Sequence, residues 1–306
     1  MLRVENLTKK FKDSVAVDNI SFDVIRGRIF GLLGPNGAGK TTTIRTILNI
    51  LKPTSGTITF DGKLISNEIF NIIGYLPEER GLYKKSKALD VITYFARLKN
   101  LSKVKAEDES KFWMEKLEIK NLANKRLEEL SKGNQQKIQF ICAVVHNPEI
   151  LILDEPFSGF DPINQETIKD ILLSFTNAGK IIILCTHQME TAEKLCSDIF
   201  LIDKGKEVCS GSLVEVKKSF GGNLVKVEFS GDGSFLSSLP EVININSYNN
   251  YAEIELREDV KPYEFLRLLV TKIIVTHFSI VEPTLNKIFI DAIKNRHQSK
   301  TINTAK

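Results

Sequence analysis

The segment Gly34–Thr42 constrains this chain more than any other part of its sequence. An apolar run, Ile29–Leu33, precedes it, and this run predicts a buried strand. Apolar residues then recur at helical spacing at Ile44, Ile47, Leu48 and Leu51. Glycines at the bend let the backbone curl so that successive N–H groups point inward, and no β-carbon blocks a phosphate chain. The strand, loop and helix together predict a P-loop that binds a nucleoside triphosphate.

The side chains of this loop indicate how it would hold a triphosphate. Lys40 can reach the β- and γ-phosphates as a point charge, and Thr41 can offer its hydroxyl to Mg²⁺. The helix that follows directs its positive N-terminus at the same anion. The alternative, a chance glycine-rich loop, is disfavoured because both flanking elements fit. The residues expected to contact the nucleotide are Gly34, Pro35, Asn36, Gly37, Ala38, Gly39, Lys40, Thr41 and Thr42.

Two acidic residues follow a second apolar run. Ile150–Leu153 predicts a strand buried on both faces of a parallel sheet, and Asp154 and Glu155 come at its carboxyl end. Ligands of doubly wound sheets bind at that edge. We therefore expect Asp154 to coordinate Mg²⁺, usually through water, and Glu155 to point toward the γ-phosphate and activate the attacking water. The alternative is that the two acids only cap the next loop.

His187 ends a third predicted strand, which spans residues 180–187. A lone histidine is more often a solvated or structural residue. The position of His187, at the carboxyl end of a strand like the acidic one, favours a functional interpretation instead. We expect this side chain to donate a hydrogen bond to the γ-phosphate.

A second anion site is predicted between the P-loop and the acidic strand. Ser131 and Gly133 open a helix there, and its apolar face consists of Ile138, Ile141, Val144 and Val145. A hydroxyl, an unhindered glycine and free backbone N–H groups at a helix N-terminus can bind an anion. The alternative is an ordinary serine N-cap.

These motifs, in this order, resemble those of the ATP-binding cassette (ABC) family over roughly residues 1–215. Ser158–Asp161, after the acidic strand, is similar to the family's D-loop, which communicates across a dimer. The resemblance implies an α/β fold, a P-loop NTPase cassette with a RecA-like core, an antiparallel β subdomain and a helical subdomain at about residues 86–145. It also implies ATP and Mg²⁺ as cofactors and ATP hydrolysis as the activity.

The resemblance implies further nucleotide contacts. In the family, the signature segment of a second chain closes over the nucleotide that the first chain's P-loop holds. Phe11 would stack on adenine, although an aromatic residue in this Lys-Lys-Phe-Lys setting is otherwise an edge or core residue. The other implied contacts are Ser131, Gly133, Asn134 and Asp161, and the implied catalytic residues are Lys40, Glu155 and His187.

Two departures from the family pattern affect these expectations. Lys132 and Asn134 take the third and fifth places of the usual Leu-Ser-Gly-Gly-Gln signature, so contacts to the ribose or phosphates can weaken or rearrange. Glu78 replaces a loop glutamine that binds Mg²⁺ and water and is linked to the transmembrane partner. A carboxylate still binds Mg²⁺, but when ionised it donates no hydrogen bond. The expected metal ligands are therefore Thr41, Asp154 and Glu78.

The remainder of the chain predicts a second domain. Residues 222–295 predict a small α+β accessory domain of regulatory or dimer-stabilising role, and residues 296–306 predict a mobile tail. Pro77–Tyr83 and Glu282–Ile290 resemble the drug- and sodium-export branch of the family, although Glu282 can simply begin a helix. The predicted elements are strands at Leu224–Phe229, Tyr251–Leu256 and Lys272–Phe278, and helices at Pro262–Thr271 and after Glu282.

Composition excludes several classes of function. A net charge of +4 over 306 residues is too small to imply nucleic-acid binding. The cysteines lack zinc-site spacing, and we expect reduced, buried thiols in the cytosol at Cys142, Cys185, Cys196 and Cys209. No apolar run approaches the roughly 18 residues that cross a bilayer, and the charged N-terminus is unlike a signal peptide. We therefore expect no direct membrane span.

The sequence thus predicts the ATP-hydrolysing subunit of an ABC transporter. It would pair head to tail with a second ABC subunit, as a homo- or heterodimer, and would energise export through a separate membrane permease at the cytoplasmic face. By the same resemblance, residues 78 to about 100 would dock on that permease. One alternative is a soluble ABC ATPase that remodels nucleic acid or a protein complex, but such proteins usually carry two cassettes, a coiled coil or zinc-binding insertions. Another is a sensor that traps ATP without hydrolysis, which Glu155 and His187 disfavour.

Overall fold

The computed structural model describes residues 1–79, 81–221 and 223–293. The chain divides into two compact units, the first spanning Met1–Ser212 and the second beginning at Leu213. The tail predicted at residues 296–306 lies outside the described residues.

The first unit begins with an antiparallel sheet. Its strands are β1 (Leu2–Phe11), β2 (Ser14–Val24), β4 (Ser55–Phe60) and β5 (Lys63–Leu64), in the order β2-β1-β4-β5. Leu2 pairs with Val24 on one side and with Phe60 on the other. Apolar and polar residues alternate along β2, so one face of the sheet is buried and the other meets solvent.

A six-stranded sheet forms the centre of this unit. Its order is β10-β9-β3-β8-β7-β6, and every pair is parallel except the edge pair of β10 with β9. The strands with continuous apolar sequence are buried along their whole length, as expected when both faces of a parallel sheet are covered. The bounds are β3 (Ile29–Leu33), β6 (Ile73–Leu76), β7 (Ile150–Asp154), β8 (Ile181–Thr186), β9 (Asp198–Asp203) and β10 (Lys206–Ser212).

Six α-helices in the described residues complete the first unit. Two of them begin directly at predicted site residues, because α1 starts at Lys40 and α4 follows an N-cap at Ser131. The helices α2, α3 and α4 pack against one another, and α4 also packs against β6. Their bounds are α1 (Lys40–Ile47), α2 (Ala88–Leu98), α3 (Lys103–Lys116), α4 (Lys132–Val144), α5 (Pro162–Asn177) and α6 (Met189–Leu195).

The two sheets of the first unit share a hydrophobic core with α1. This core contains Leu2 and Val17 from the antiparallel sheet, Ile152 and Ile183 from the parallel sheet, and Ile44 from α1. All five are fully buried. Burial of a side chain of this size contributes about 1.5–3 kcal/mol, so the core fixes the position of the loop between β3 and α1.

The second unit is a small α+β structure. Its antiparallel sheet has the order β12-β13-β11-β14, and residues such as Val227, Ile254 and Phe265 form its core. The predicted strands and helices are confirmed within a few residues. The strand β12 was not predicted, because its apolar residues alternate with asparagine and most of its positions are exposed. The bounds are α7 (Leu213–Ser219), β11 (Asn223–Ser230), β12 (Val242–Ser247), β13 (Tyr251–Leu256), α8 (Pro262–Leu269), β14 (Ile274–Ile280) and α9 (residues 285–293).

Two further expectations concern thiols and membrane spans. All four cysteines lie in the described part of the chain; Cys142, Cys185 and Cys196 are buried thiols, and Cys209 is half-buried. Within the described ranges, no helix has both the length and the apolar character to span a membrane.

Candidate functional site

The loop between β3 and α1 has backbone geometry that requires glycine at two positions. Gly39 has φ +113°, and a β-carbon there would lie 2.6 Å from the carbonyl oxygen of Ala16. A β-carbon at Gly34 would lie 2.1 Å from the carbonyl oxygen of Ile202, at the end of β9. Neither approach is possible for another residue without a shift of the backbone. The loop therefore packs directly on backbone from two other parts of the first unit.

The turn between β9 and β10 supports the same loop through hydrogen bonds. The Gly205 N–H donates to the carbonyl oxygen of Ala38 at 2.8 Å, and the Asp18 N–H donates to the Gly205 carbonyl at 2.8 Å. Ala38 lies in the middle of the glycine-rich segment. The shape of the loop thus depends on residues far along the chain.

Lys40 is a buried cation at the start of α1. Its side chain is 7% exposed, and its Nζ donates to the carbonyl oxygens of Gly34 at 2.7 Å and Pro35 at 3.1 Å. These contacts hold the ammonium group beside the N-terminus of α1, where backbone N–H groups also favour negative charge. A phosphate chain that enters this loop would contact both the Lys40 ammonium group and these backbone N–H groups.

Asp154 ends β7 close to the loop. Its side chain is 2% exposed, and the Thr41 hydroxyl donates to its Oδ2 at 3.5 Å. Burial, together with the nearby carboxylates of Glu78 and Glu155, raises the pKa of Asp154 to about 6, against the opposite effects of Lys40 and the Thr41 hydroxyl. A cation bound beside Asp154 would favour its charged form and offset the repulsion between these neighbouring carboxylates.

Glu155 is held by Thr186, the last residue of β8, and by His187, which follows it. Its Oε2 accepts a hydrogen bond from the Thr186 hydroxyl at 2.8 Å. Its Oε1 accepts one from the backbone N–H of His187 at 2.8 Å and lies 2.5 Å from His187 Nδ1. The Thr186 hydroxyl also accepts from the Gln188 N–H at 3.0 Å. This network fixes the carboxylate at the carboxyl edge of the sheet, with Glu155 at a φ of 50°.

Thr186 did not emerge from the sequence as a site residue. It is 2% exposed, and its hydroxyl is the only group in the described residues that donates to Glu155 Oε2. The signal was a hydroxyl-bearing residue at the end of an otherwise apolar strand, immediately before His187. Its contact could be inferred only from the pairing of β7 with β8, in which Asp154 lies opposite Cys185.

A cavity of about 280 Å³ joins the P-loop to the acidic residues. Eleven residues from four parts of the first unit line it, so the fold brings together most of the predicted loop, metal and catalytic positions. Ala16 is the one lining residue that the sequence did not suggest. The lining residues are Ala16, Asn36, Gly37, Ala38, Gly39, Lys40, Thr41, Thr42, Glu78, Asp154 and Glu155.

The residues of this cavity fit Mg²⁺ held together with a triphosphate. In the described ranges no group of three or more His, Cys, Asp and Glu side chains forms a complete metal cage. Mg²⁺ is usually bound by one or two carboxylates together with substrate phosphates, so a complete cage is not required. Asp154, Glu78 and Thr41 line the cavity, and their side-chain oxygens would hold the metal.

The remaining predicted residues lie outside the lining of this cavity. Phe11 is 46% exposed at the end of β1, with Lys9 Nζ 5.3 Å from its ring centroid. Ser131 is exposed and caps α4 by accepting from the Asn134 N–H at 3.3 Å. Asp161 caps α5, and its Oδ1 accepts from the Asn164 N–H at 2.9 Å. Their roles toward a nucleotide stay predictions.

The signature segment and the D-loop segment lie next to each other. A β-carbon at Gly133 would lie 3.6 Å from the Gly159 carbonyl oxygen.

Three other predicted residues do not line the cavity but contact residues that do. His187 contacts Glu155. The carbonyl oxygens of Gly34 and Pro35 accept hydrogen bonds from Lys40.

Comparison with known proteins agrees with this geometry. A family model described as ABC transporter matches residues 17–158, and one described as ATP-binding protein DrrA1-3-like, C-terminal domain, matches residues 211–293. The uncharacterized ABC transporter ATP-binding protein YhaQ of Bacillus subtilis (strain 168) is 44% identical over 96% of this chain and 98% of its own length.

Two further matches extend the comparison. Nod factor export ATP-binding protein I of Cupriavidus metallidurans (strain ATCC 43123) is 34% identical over 74% of this chain and 76% of that protein. The structure of the dimeric bacterial ABC transporter cassette MJ0796 superposes with a TM-score of 0.64 at 24% identity, covering 70% of this chain and 99% of the cassette, and so has the same fold. The chain belongs to the ATP-binding proteins of the ABC transporter family, whose cofactors are ATP and Mg²⁺.

Proposed function

We propose that this chain hydrolyses ATP at the P-loop cavity and so energises export through a separate membrane-spanning permease. The observation that carries the proposal is the position of Glu155. Its carboxylate lies in the wall of the cavity that Lys40 also lines, and hydrogen bonds from Thr186 and His187 fix it there. A fixed carboxylate beside a phosphate-binding loop can polarise an attacking water.

Each site residue has a role in this chemistry. Glu155 would act as general base and accept the proton of the water that attacks the γ-phosphate. Lys40 would stabilise negative charge on the transferred phosphoryl group, and His187, which already contacts Glu155, would donate to the same group. Thr41, Asp154 and Glu78 would hold Mg²⁺, which would offset the negative charge of the triphosphate.

A second ABC subunit would complete the site. ABC cassettes work as dimers with membrane permease components. Ser131 and Asn134 lie at the start of α4, and neither is among the residues that line the P-loop cavity of the same chain. A head-to-tail partner would bring its own Ser131 over the nucleotide. The closed dimer would bind ATP more tightly than it binds ADP and phosphate. That difference in affinity can drive a bound permease between two conformational states.

An apolar cavity beside the Glu78 loop would receive the permease. Its volume is about 270 Å³, and residues 81–99 supply part of its lining, within the segment predicted to dock. Ile50 at its rim is 56% exposed and Phe70 is 36% exposed. An exposed apolar concavity of this kind fits an apolar segment of a partner protein. The other apolar lining residues include Leu48, Tyr75, Leu82 and Phe95.

The direction of transport is proposed as export. One support is the name of the Nod factor export relative, and the other is the resemblance of Pro77–Tyr83 to the export branch. The chain would then act at the cytoplasmic face of the membrane, attached through its permease. Loss of the chain should reduce release of a compound from cells rather than its uptake, as measured by comparing metabolites in medium and cells.

The hydrolysis part of the proposal is tested with Glu155→Gln. Turnover should fall by about 10² to 10⁴ while ATP still binds, because the general base is lost and the phosphate-binding loop is intact. The matched control is Glu166→Gln, which changes an exposed glutamate on α5 that pairs with Lys169. Normal turnover of Glu155→Gln would contradict the assigned role.

The docking part of the proposal is tested separately. The chain should copurify with a multi-spanning membrane protein from detergent-solubilised membranes. Ile50→Glu places a charge in the exposed rim of the apolar cavity and should abolish that association while leaving ATP hydrolysis intact. Undiminished copurification of this variant would remove the cavity as the docking site.

A further inference from the structure

One buried side chain connects α4 to the loop that carries Glu78. Gln139, in the middle of α4, is 4% exposed. Its Nε2 donates to the carbonyl oxygen of Pro77 at 3.1 Å and to that of Glu79 at 3.1 Å. These two carbonyls flank Glu78 on both sides. A single amide on α4 therefore holds the backbone on either side of a residue that lines the P-loop cavity.

The same helix begins at the signature serine. Gln139 lies about two turns, or about 12 Å, along α4 from Ser131. A hydrogen-bonded helix of this length moves as one body, so a displacement at its start reaches its middle. Glu78 is exposed and its loop has few buried apolar groups, so the contacts of Gln139 are well placed to set its position.

The burial of an amide at this position also needs a reason. Gln139 lies next to apolar residues, and Cys142 on the same helix lines the same apolar cavity. Burying an amide is unfavourable unless it is hydrogen-bonded, and an apolar residue of equal size would fill the space at lower cost. Among the described residues, its Oε1 has no partner, so the two bonds from Nε2 are what the glutamine gains there.

We propose that Gln139 is a positioning residue that couples α4 to Glu78. Closure of a second subunit on Ser131 shifts α4, and Gln139 transmits this shift to the carboxylate that binds Mg²⁺ in its own chain. The inference rests on the proposed function, since it takes Glu78 as a metal ligand and Ser131 as a partner contact. Gln139 lies outside the sequence motifs of the nucleotide site, so those motifs assign it no such role.

The test measures how much Mg²⁺ strengthens ATP binding, in the Glu155→Gln background so that ATP is not consumed. Gln139→Met keeps the volume of the side chain but removes both donors. The Mg²⁺-dependent gain in affinity should fall about tenfold, because two hydrogen bonds that position the ligand are lost, while affinity for ATP without metal stays unchanged. Cys142→Ala, which alters the lining of the same cavity, is the control and should keep the full gain.

Two further measurements separate positioning from a merely structural role. Glu78→Ala should lose the same gain, and the double variant Gln139→Met with Glu78→Ala should lose no more than either single variant. Hydrogen–deuterium exchange of the nucleotide-free protein should be faster in the amides following Pro77 in Gln139→Met and in Gln139→Leu, but not in Cys142→Ala. The second variant keeps the test available if the first folds poorly.

Each outcome decides the inference. It is overturned if Gln139→Met keeps the Mg²⁺-dependent gain that Glu78→Ala loses, or if the losses of the two variants add. Should Glu78→Ala itself keep the gain, the inference fails together with the metal role of Glu78. The hydrolytic role of Glu155, which is tested through turnover, would then still stand.

Discussion

Replacing Thr186 with valine is expected to slow ATP hydrolysis without weakening ATP binding. The Thr186 hydroxyl donates to Glu155 Oε2 at 2.8 Å, and both residues are buried, at 2% and 6% exposure. A hydrogen bond to a charged group contributes about 1.5–3 kcal/mol. The two contacts from His187 go to the other carboxylate oxygen, Oε1. In the Thr186→Val variant, no other group in the described residues therefore replaces the lost donor to Oε2. Since each ~1.4 kcal/mol changes a rate tenfold, kcat should fall about 10- to 100-fold.

Steady-state ATPase assays of the wild type, Thr186→Val and Thr186→Ser measure both parameters. KM should change little, because Thr186 does not line the P-loop cavity. Serine keeps the hydroxyl and should retain kcat within about threefold, the loss expected from a weakened rather than missing hydrogen bond. Equal kcat for wild type and valine, or equal losses for serine and valine, would refute the view that this hydroxyl orients the carboxylate.

Four other changes have defined expected results. Lys40→Ala should lose ATP binding or turnover, and normal values in a nucleotide-binding assay and an ATPase assay would remove it from the site. Gly39→Ala should unfold at lower urea concentration and bind ATP poorly, because a β-carbon would lie 2.6 Å from a backbone oxygen at a φ of +113°. Asp161→Ala should lower the free energy of unfolding by about 1 kcal/mol through loss of the α5 N-cap, and unchanged unfolding would contradict this. Burial and neighbouring carboxylates raise the pKa of Asp154 to about 6, so its contribution to stability is greatest below the unfolded pKa and is lost as pH rises through 6. Asp154→Asn should therefore stabilise the nucleotide-free protein by up to about 3 kcal/mol at about pH 8 and much less at about pH 4, as measured by urea unfolding.

The elements that hold the site could be predicted from the sequence because their patterns are local. Ile29–Leu33 and Ile150–Leu153 are continuous apolar runs, and both lie in strands that are buried throughout. Carboxyl ends of parallel strands share one edge, so Asp154 and Glu155 could be placed near the P-loop before their distances were known. The catalytic and binding roles of individual residues stay predictions.

Residues whose importance depends on long-range contacts could not be found in the same way. Thr186 matters because β7 and β8 are neighbours, and Gln139 because α4 packs on β6. Neither pairing follows from the periodicity of one segment. The strand β12 was missed for a different reason, since its polar positions include asparagines, which are depleted in strands, and most of this edge strand is exposed.

The support of the P-loop by Gly205 has a consequence for how the protein is made. A ribosome completes Gly34–Thr42 early, but the backbone that shapes this segment, at Ile202 and Gly205, is synthesised much later. We therefore expect the nascent chain to bind a nucleotide poorly until almost the whole first unit has emerged. A fragment ending at residue 158, where the match to the family model stops, would contain the entire glycine-rich segment and still lack a competent binding loop.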